Sequence, residues 1–453
     1  MRHDRKRRFL FLFLCIIMYG TLPPAFAQSA GEWTKEEHIY HCLLNGQGDS
    51  IYAALNEEAQ RQLSSAVFND SFRQLETQFG PFQQADVWKR DYIQGMEFSY
   101  RDMRFERYTL RLLLGFDADG KLHTLRLAPA PDPATATAAT FDKERMVERD
   151  IEVVTGCFRM PGTLTLPLQA VEAGRRVPCV VMVHGSGPND RDESVGPNKP
   201  FRDLAWRLAR HGVASIRYDK RTKVYGAACV PPDRQLDMDV ETCDDALSAI
   251  RLARTLPEVA PDSVFVLGHS QGGMMAPRIA KRTKSEVAGI VVVAGLARPM
   301  EDALLEQAEY LASLSGQPHS PQLDGLKKQV ENVKQLGTSG FCDTIPLPLG
   351  LPLSYWKYLK DYHQQQEMSA LSCPVLVLQG ERDYQVTMQD YGLWLMALLG
   401  NPRAQLKSYP DLNHILQEGK GKSTPMEYGE ARPVPTYVAE DVAGFIRGKD
   451  IRR

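Results

Sequence analysis

Three residues far apart in the chain have the types and local settings for covalent acyl chemistry: Ser270, Asp383 and His414. Ser270 lies in VFVLGHSQGG, residues 264–273, where an apolar run that reads as a buried strand breaks into Gly-His-Ser-Gln-Gly ahead of a helical pattern. The central serine of G-x-S-x-G, with a strand before it and a helix behind, is forced onto a sharp turn that projects its hydroxyl above the strand end. Gly268 and Gly272 relieve the crowding that such a turn creates. A serine hydroxyl is a weak nucleophile at neutral pH, so it needs a base beside it and a carboxylate to orient that base. The chain order serine, acid, histidine selects Asp383, just past the apolar run of CPVLVLQGERDYQV, with Glu381 as the competing acid. It selects His414, in SYPDLNHILQ, as the base; His319 and His363 precede the acid and fall in a different segment.

Acyl transfer passes through an oxyanion, which needs amide donors already in place. One is expected from the N–H of Gln271, the residue after the nucleophile, at the electropositive start of the helix. The other is expected from VMVHGSGPNDRD, where the glycines let the backbone approach closely, and the N–H of Ser186 is the candidate. His184 and Gly185 in the same loop are expected to border the substrate, His184 as a loop-shaping hydrogen-bond donor rather than a base. Asp219 and Lys220, in RYDKR, follow another strand-like run, and Asp219 reads as a structural support, by salt bridge, for the oxyanion loop or for a cap over it.

These residues need a scaffold, and the pattern from about residue 145 supplies one. Strand-like runs alternate with helical ones, which implies a mostly parallel sheet. Eight strands are expected: RMVERDIEVV, GTLTLPLQA, VPCVVMVH, VASIRYD, SVFVLGH, VAGIVVVAG, CPVLVLQG and AQLKSYP. Helices are expected near 201–211, 239–255, 271–282, 386–399 and 436–447. Residues 295–372 interrupt the alternation with helical runs and the aromatic stretch YWKYLKDYH, and read as a cap inserted over one sheet edge. Tyr355, Trp356 and Tyr358 are expected to give that cap an apolar surface, used either for contact with the substrate's acyl chain or for ordinary packing.

The rest of the chain is organised differently. Residues 1–27 have the cationic, apolar and A-x-A layout of a secretory signal, so export to the periplasm or beyond is expected, with no stable membrane span after cleavage. Residues 33–128 read as a small α+β domain: VFNDSFRQLETQFG has one apolar helical face ended by Gly80-Pro81, and GMEFSYRDM, RYTLRLLLGF and KLHTLRLAP read as antiparallel strands. Residues 129–144, rich in Pro, Ala and Thr, read as a linker to a domain over 145–450.

The 453 residues are 43% hydrophobic and 24% charged with net charge −2, the balance of a core-forming globular protein. Nothing in this balance points to nucleic acid. The cysteines lack C-x-x-C spacing and paired histidines, which argues against zinc; Cys229 and Cys243 flank a Pro-rich loop that allows them to pair, but the odd total of seven after residue 27 leaves at least one thiol free or intermolecular. No metal or cofactor is implied.

Taken together, HGSGPNDRD, RYDKR, GHSQGGMMAP, LQGERDYQV and LNHILQ make residues 145–447 resemble the serine α/β-hydrolase superfamily, and within it secreted bacterial esterases of the esterase D type. The resemblance implies an α/β fold with a helical cap and a small accessory domain before it. It implies cleavage of small-molecule carboxylic esters, with Ser270, Asp383 and His414 as triad and Ser186 and Gln271 at the oxyanion. Two other readings stand beside it. The same triad cleaves amides in serine peptidases, although 33–128 is too short and unrepetitive for their usual propeller. A non-catalytic envelope-binding protein is the other, but binding alone has no need of an activated serine.

Overall fold

A computed structural model describes residues 34–62, 68, 71–93, 96–106, 109–130, 141–284, 286–314 and 320–451. The expected signal segment, most of the expected linker, and His319 lie outside them. The chain forms two compact units, each with its own sheet.

The first unit opens with helices α1 (Thr34–Leu44), α2 (Gly48–Ala54), α3 (Glu57–Gln62) and α4 (Ser71–Phe79). α4 carries the described part of the expected amphipathic helix, of which Val67 lies outside the described residues, and is ended by Gly80 at φ 84°. The strands are β1 (Phe82–Ala85), β2 (Lys89–Ile93), β3 (Met96–Phe105), β4 (Thr109–Phe116) and β5 (Leu122–Pro129). They run in the order β1-β3-β4-β5, with β2 also on β3, and every pairing is antiparallel. β4 shows why they pair: Leu110, Leu112 and Leu114 alternate onto the buried face. β1 and β2 were not expected, because FQQA and KRDYI lack that alternation. Both become strands by hydrogen bonding to the long β3.

The second unit is built on β6 (Met146–Thr155), β7 (Phe158–Pro167), β8 (Val177–Val183), β9 (Ala214–Tyr218), β10 (Val259–His269), β11 (Gly289–Val293), β12 (Val375–Gly380) and β13 (Ala404–Tyr409). Their order is β13-β12-β11-β10-β8-β9-β7-β6. The six strands from β13 to β9 are parallel to their neighbours, and β7 and β6 close one edge antiparallel. The continuous Val and Leu runs of β8, β11 and β12 are what a parallel sheet covered on both faces requires. One face packs on α6 (Asp244–Thr255), α7 (Gln271–Arg282) and α11 (Met388–Ala397). The other packs on α5 (Pro200–Arg210) and α12 (Thr436–Ile446). A π-helical turn, Asp239–Cys243, leads into α6.

The expected insertion stands between β11 and β12 as α8 (Met300–Leu314), α9 (Pro321–Lys334), α10 (Leu353–Asp361) and a short helix, Gln364–Ser369. Ser320 caps α9 by accepting a hydrogen bond from the Leu323 N–H at 3.1 Å. The insertion has its own small core, in which Val333, Leu336 and Trp356 are buried with Leu304 and Leu359 packed on them.

Candidate active site

Ser270 sits on the turn from β10 into α7 at φ 53°, ψ −116°, a conformation that non-glycine residues rarely adopt. The Ser270 N–H bonds to Val293 O at 2.9 Å, and its carbonyl starts the helix by accepting from Met274 N at 2.9 Å. The glycines flanking it are steric necessities. A Cβ on Gly268 would run into the carbonyl of Gly272, and one on Gly272 into the carbonyl of Val183. The helix therefore starts against the end of β8. A Cβ at Gly185 would lie 3.1 Å from the Ser270 Cβ, which places the loop after β8 directly against the serine.

The acid and the histidine meet. His414 Nδ1 and Asp383 Oδ2 are 2.7 Å apart, both residues buried. The remaining lone pairs of Asp383 are also claimed: Oδ1 accepts from Gln385 N at 2.7 Å and Val386 N at 3.1 Å, while Gln379 Nε2 lies 3.3 Å from Oδ2. The carboxylate is thus locked by its own loop. Glu381 faces elsewhere and accepts from Ser408 Oγ at 2.7 Å. Arg382 holds the acid loop to the histidine loop, reaching Glu427 at 2.6 and 2.7 Å and Gly421 O at 2.7 Å. His363 is exposed on the insertion.

A second buried histidine–carboxylate pair lies beside the first, and sequence reasoning did not single it out. His269, inside the G-x-S-x-G motif, is 2.8 Å from His414 O through Nε2 and 3.1 Å from Glu193 Oε2 through Nδ1. Its ring centroid is 4.7 Å from that of His414. Glu193 in turn accepts the Gly185 N–H at 2.6 Å. Burial alone disfavours the His269 imidazolium, but Glu193 outweighs it and raises the pKa above the ordinary value. The charged ring has N–H donors for both partners. His269 therefore ties the histidine loop to the oxyanion loop directly beneath Ser270. His269 alone left a trace in the sequence, a titratable ring at the end of an apolar strand that needs a partner when buried, whereas Glu193 lies in the polar stretch GPNDRDES.

The oxyanion loop is clamped from both sides. With its N–H on Glu193, Gly185 is no oxyanion donor. Its carbonyl accepts from Lys220 Nζ at 2.9 Å and Asn189 Nδ2 at 3.1 Å. In a trans peptide the N–H points opposite the carbonyl, so the N–H of exposed Ser186 is turned away from these donors. Asp219 braces the same loop, accepting from the Arg191 N–H at 2.8 Å and its guanidinium at 3.0 Å.

Three expected substrate contacts are corrected by burial. His184 is packed between the Phe201 and Tyr218 rings with no exposed face. Trp356 fills the core of the insertion rather than its surface. Tyr355 is buried with its hydroxyl on Glu241 at 2.6 Å. Tyr358, half-buried, spends its hydroxyl on Asp239 at 3.0 Å. Cys229 and Cys243 are separate buried thiols, not the pair their spacing allowed. Among the described residues no group of histidine, cysteine and carboxylate side chains could hold a metal ion.

The packing of His184 has a consequence for acid stability. Burial lowers its pKa to about 4, so the folded protein resists its protonation while the unfolded chain accepts a proton from about pH 6.5. Stability from this group is full above about pH 6.5 and lost progressively toward pH 4, by about 3 kcal/mol. Denaturant unfolding of His184→Phe should show a pH 7 to pH 4 difference smaller than wild type by about that amount. An equal difference in the two proteins would contradict the assignment.

Residues 178–419 match the family described as serine aminopeptidase, S33. Esterase EstD of Thermotoga maritima is 32% identical over 441 residues, spanning 97% of this chain and 98% of that protein. A putative esterase, NocK, of Nocardia uniformis subsp. tsuyamanensis is 30% identical over 185 residues, 37% of this chain and 49% of that one. Among solved structures, Est1E from Butyrivibrio proteoclasticus superposes with a TM-score of 0.44 at 15% identity, covering 66% of this chain and 98% of its own.

Proposed function

The chain belongs to the serine α/β-hydrolases of the esterase type, and from that premise we propose that Ser270, His414 and Asp383 cleave small-molecule carboxylic esters through an acyl-enzyme. The observation that carries this reading is the 2.7 Å bond between His414 Nδ1 and Asp383 Oδ2 beside the strained Ser270 turn. With Nδ1 donating to the carboxylate, the neutral ring presents Nε2 as a proton acceptor. Ser270 Oγ adds to the acyl carbon as its proton passes to Nε2. The carbonyl oxygen gains charge facing the N–H groups of Gln271 and Ser186. Collapse expels the alcohol, which takes the proton from His414. Water then adds to the acyl carbon by the same base, and the acid leaves as Ser270 Oγ recovers its proton.

Peptide cleavage is the second reading, favoured by the family description. An amine leaves less readily than an alcohol, so the two readings separate in one assay. We expect kcat/KM for p-nitrophenyl butyrate to exceed that for aminoacyl p-nitroanilides by at least about 100-fold, roughly 2.7 kcal/mol of transition-state preference. Equal or inverted values would favour the peptidase. Export is part of the proposal, supported by the layout of residues 1–27; among the described residues no helix is long and apolar enough to cross a membrane.

A further inference from the structure

A short segment, the π-helical turn Asp239–Cys243, lies between the insertion and the clamp on the oxyanion loop. From the insertion side, Tyr355 Oη donates to Glu241 Oε2 at 2.6 Å and Tyr358 Oη to Asp239 Oδ1 at 3.0 Å. Just upstream of the turn, Ser354 Oγ donates to Leu236 O at 2.8 Å. From the other side, Glu241 Oε1 pairs with Lys220 Nζ at 2.6 Å, and the same ammonium donates to Gly185 O at 2.9 Å. Thr242 Oγ1 accepts from Gln271 Nε2 at 3.2 Å. The turn therefore receives the insertion at Asp239 and Glu241, touches Gln271 at Thr242, and through Lys220 reaches the Gly185 carbonyl, on the peptide whose N–H belongs to Ser186.

The chain Tyr355–Glu241–Lys220–Gly185 is buried throughout. An ion pair held out of water contributes little net stability, because the cost of desolvation offsets the attraction. What it gives here is direction. Lys220 holds the Gly185 carbonyl, the other half of that peptide is the Ser186 N–H, and rotating one rotates the other. Wide helical turns of this kind recur at functional sites.

Resting on the esterase reading, we propose that Lys220 and Glu241 are positioning residues that aim the Ser186 N–H at the oxyanion, and that Tyr355 makes this aim depend on the seating of the cap. Because the oxyanion forms only after attack, loss of the relay lowers kcat and leaves KM nearly unchanged. Removing an oxyanion donor outright costs about 10²–10³ in kcat, and misaiming one costs part of that.

The test is a double-mutant cycle on the full chain with p-nitrophenyl butyrate. Lys220→Met is expected to lower kcat about 10- to 100-fold and Tyr355→Phe about 3- to 10-fold, each with KM within about twofold of wild type. Because both act through one peptide, the double variant is expected to match Lys220→Met alone within about twofold. Multiplicative losses, losses confined to KM, or wild-type kcat in either single variant would overturn the coupling. Should Lys220→Met leave Glu241 too poorly compensated to fold, the cycle runs on Glu241→Gln and Tyr355→Phe with the same criteria. Ser270→Ala separates this inference from its premise. An active Ser270→Ala removes the esterase reading itself, whereas an inactive one beside wild-type-like relay variants removes only the relay.

Discussion

Ser270→Ala is expected to lower kcat/KM for p-nitrophenyl butyrate by about 10⁴-fold or more, with thermal unfolding close to wild type. The substitution removes the hydroxyl of a half-buried residue and keeps the Cβ that the turn already accommodates at φ 53°. It therefore deletes the attacking atom while preserving the fit of α7 against β8. Residual turnover of the size that an oxyanion site and binding alone supply is compatible with the account. Turnover within tenfold of wild type is not.

The second large effect is expected from Asp383→Asn, a loss of about 10⁴-fold in kcat near neutral pH. The loop determines how the new amide is oriented. The N–H groups of Gln385 and Val386 both address Oδ1, at 2.7 and 3.1 Å, so the amide oxygen takes that position. The amide NH₂ then faces His414 Nδ1, which must accept rather than donate. The ring proton moves to Nε2, and the base can no longer take the proton of Ser270. Gln379 Nε2, 3.3 Å from Oδ2, adds a second donor against the NH₂ and makes the variant less stable as well. Steady-state rates and a denaturant curve check both parts. A variant with more than a tenth of wild-type kcat would remove Asp383 as the orienting acid.

Much of the second unit was legible because its signals are local and strong. Runs such as VPCVVMV and VLVLQG have few alternatives to a doubly covered strand, and G-x-S-x-G between a strand and a helix specifies a turn by steric exclusion. The Asp383 loop was legible for the same reason, lying immediately past such a run. β1 and β2 were not, because their strand character comes from pairing with β3 rather than from their own pattern. For Tyr355 and Trp356 the sequence left packing and substrate contact both open, because an aromatic stretch on a helix gives no sign of which face is covered. The structure puts Trp356 into the core of the insertion and Tyr355 against Glu241. Glu193 and His269 escaped notice because their partnership joins positions 76 residues apart through the side chains alone. No spacing rule reaches that far. The bracing of the oxyanion loop by Asp219 had a trace in RYDKR, but the part played by Lys220 and its link to the insertion required the coordinates.

The claim on which the rest depends is that Ser270 is the residue that becomes acylated. Treating the protein with a fluorophosphonate and mapping the modified peptide by mass spectrometry tests it most directly. The account predicts a single stoichiometric adduct on Ser270, absent from Ser270→Ala and formed far more slowly in Asp383→Asn. An adduct on another residue that abolishes esterase activity, or equal inactivation of Ser270→Ala, would contradict it.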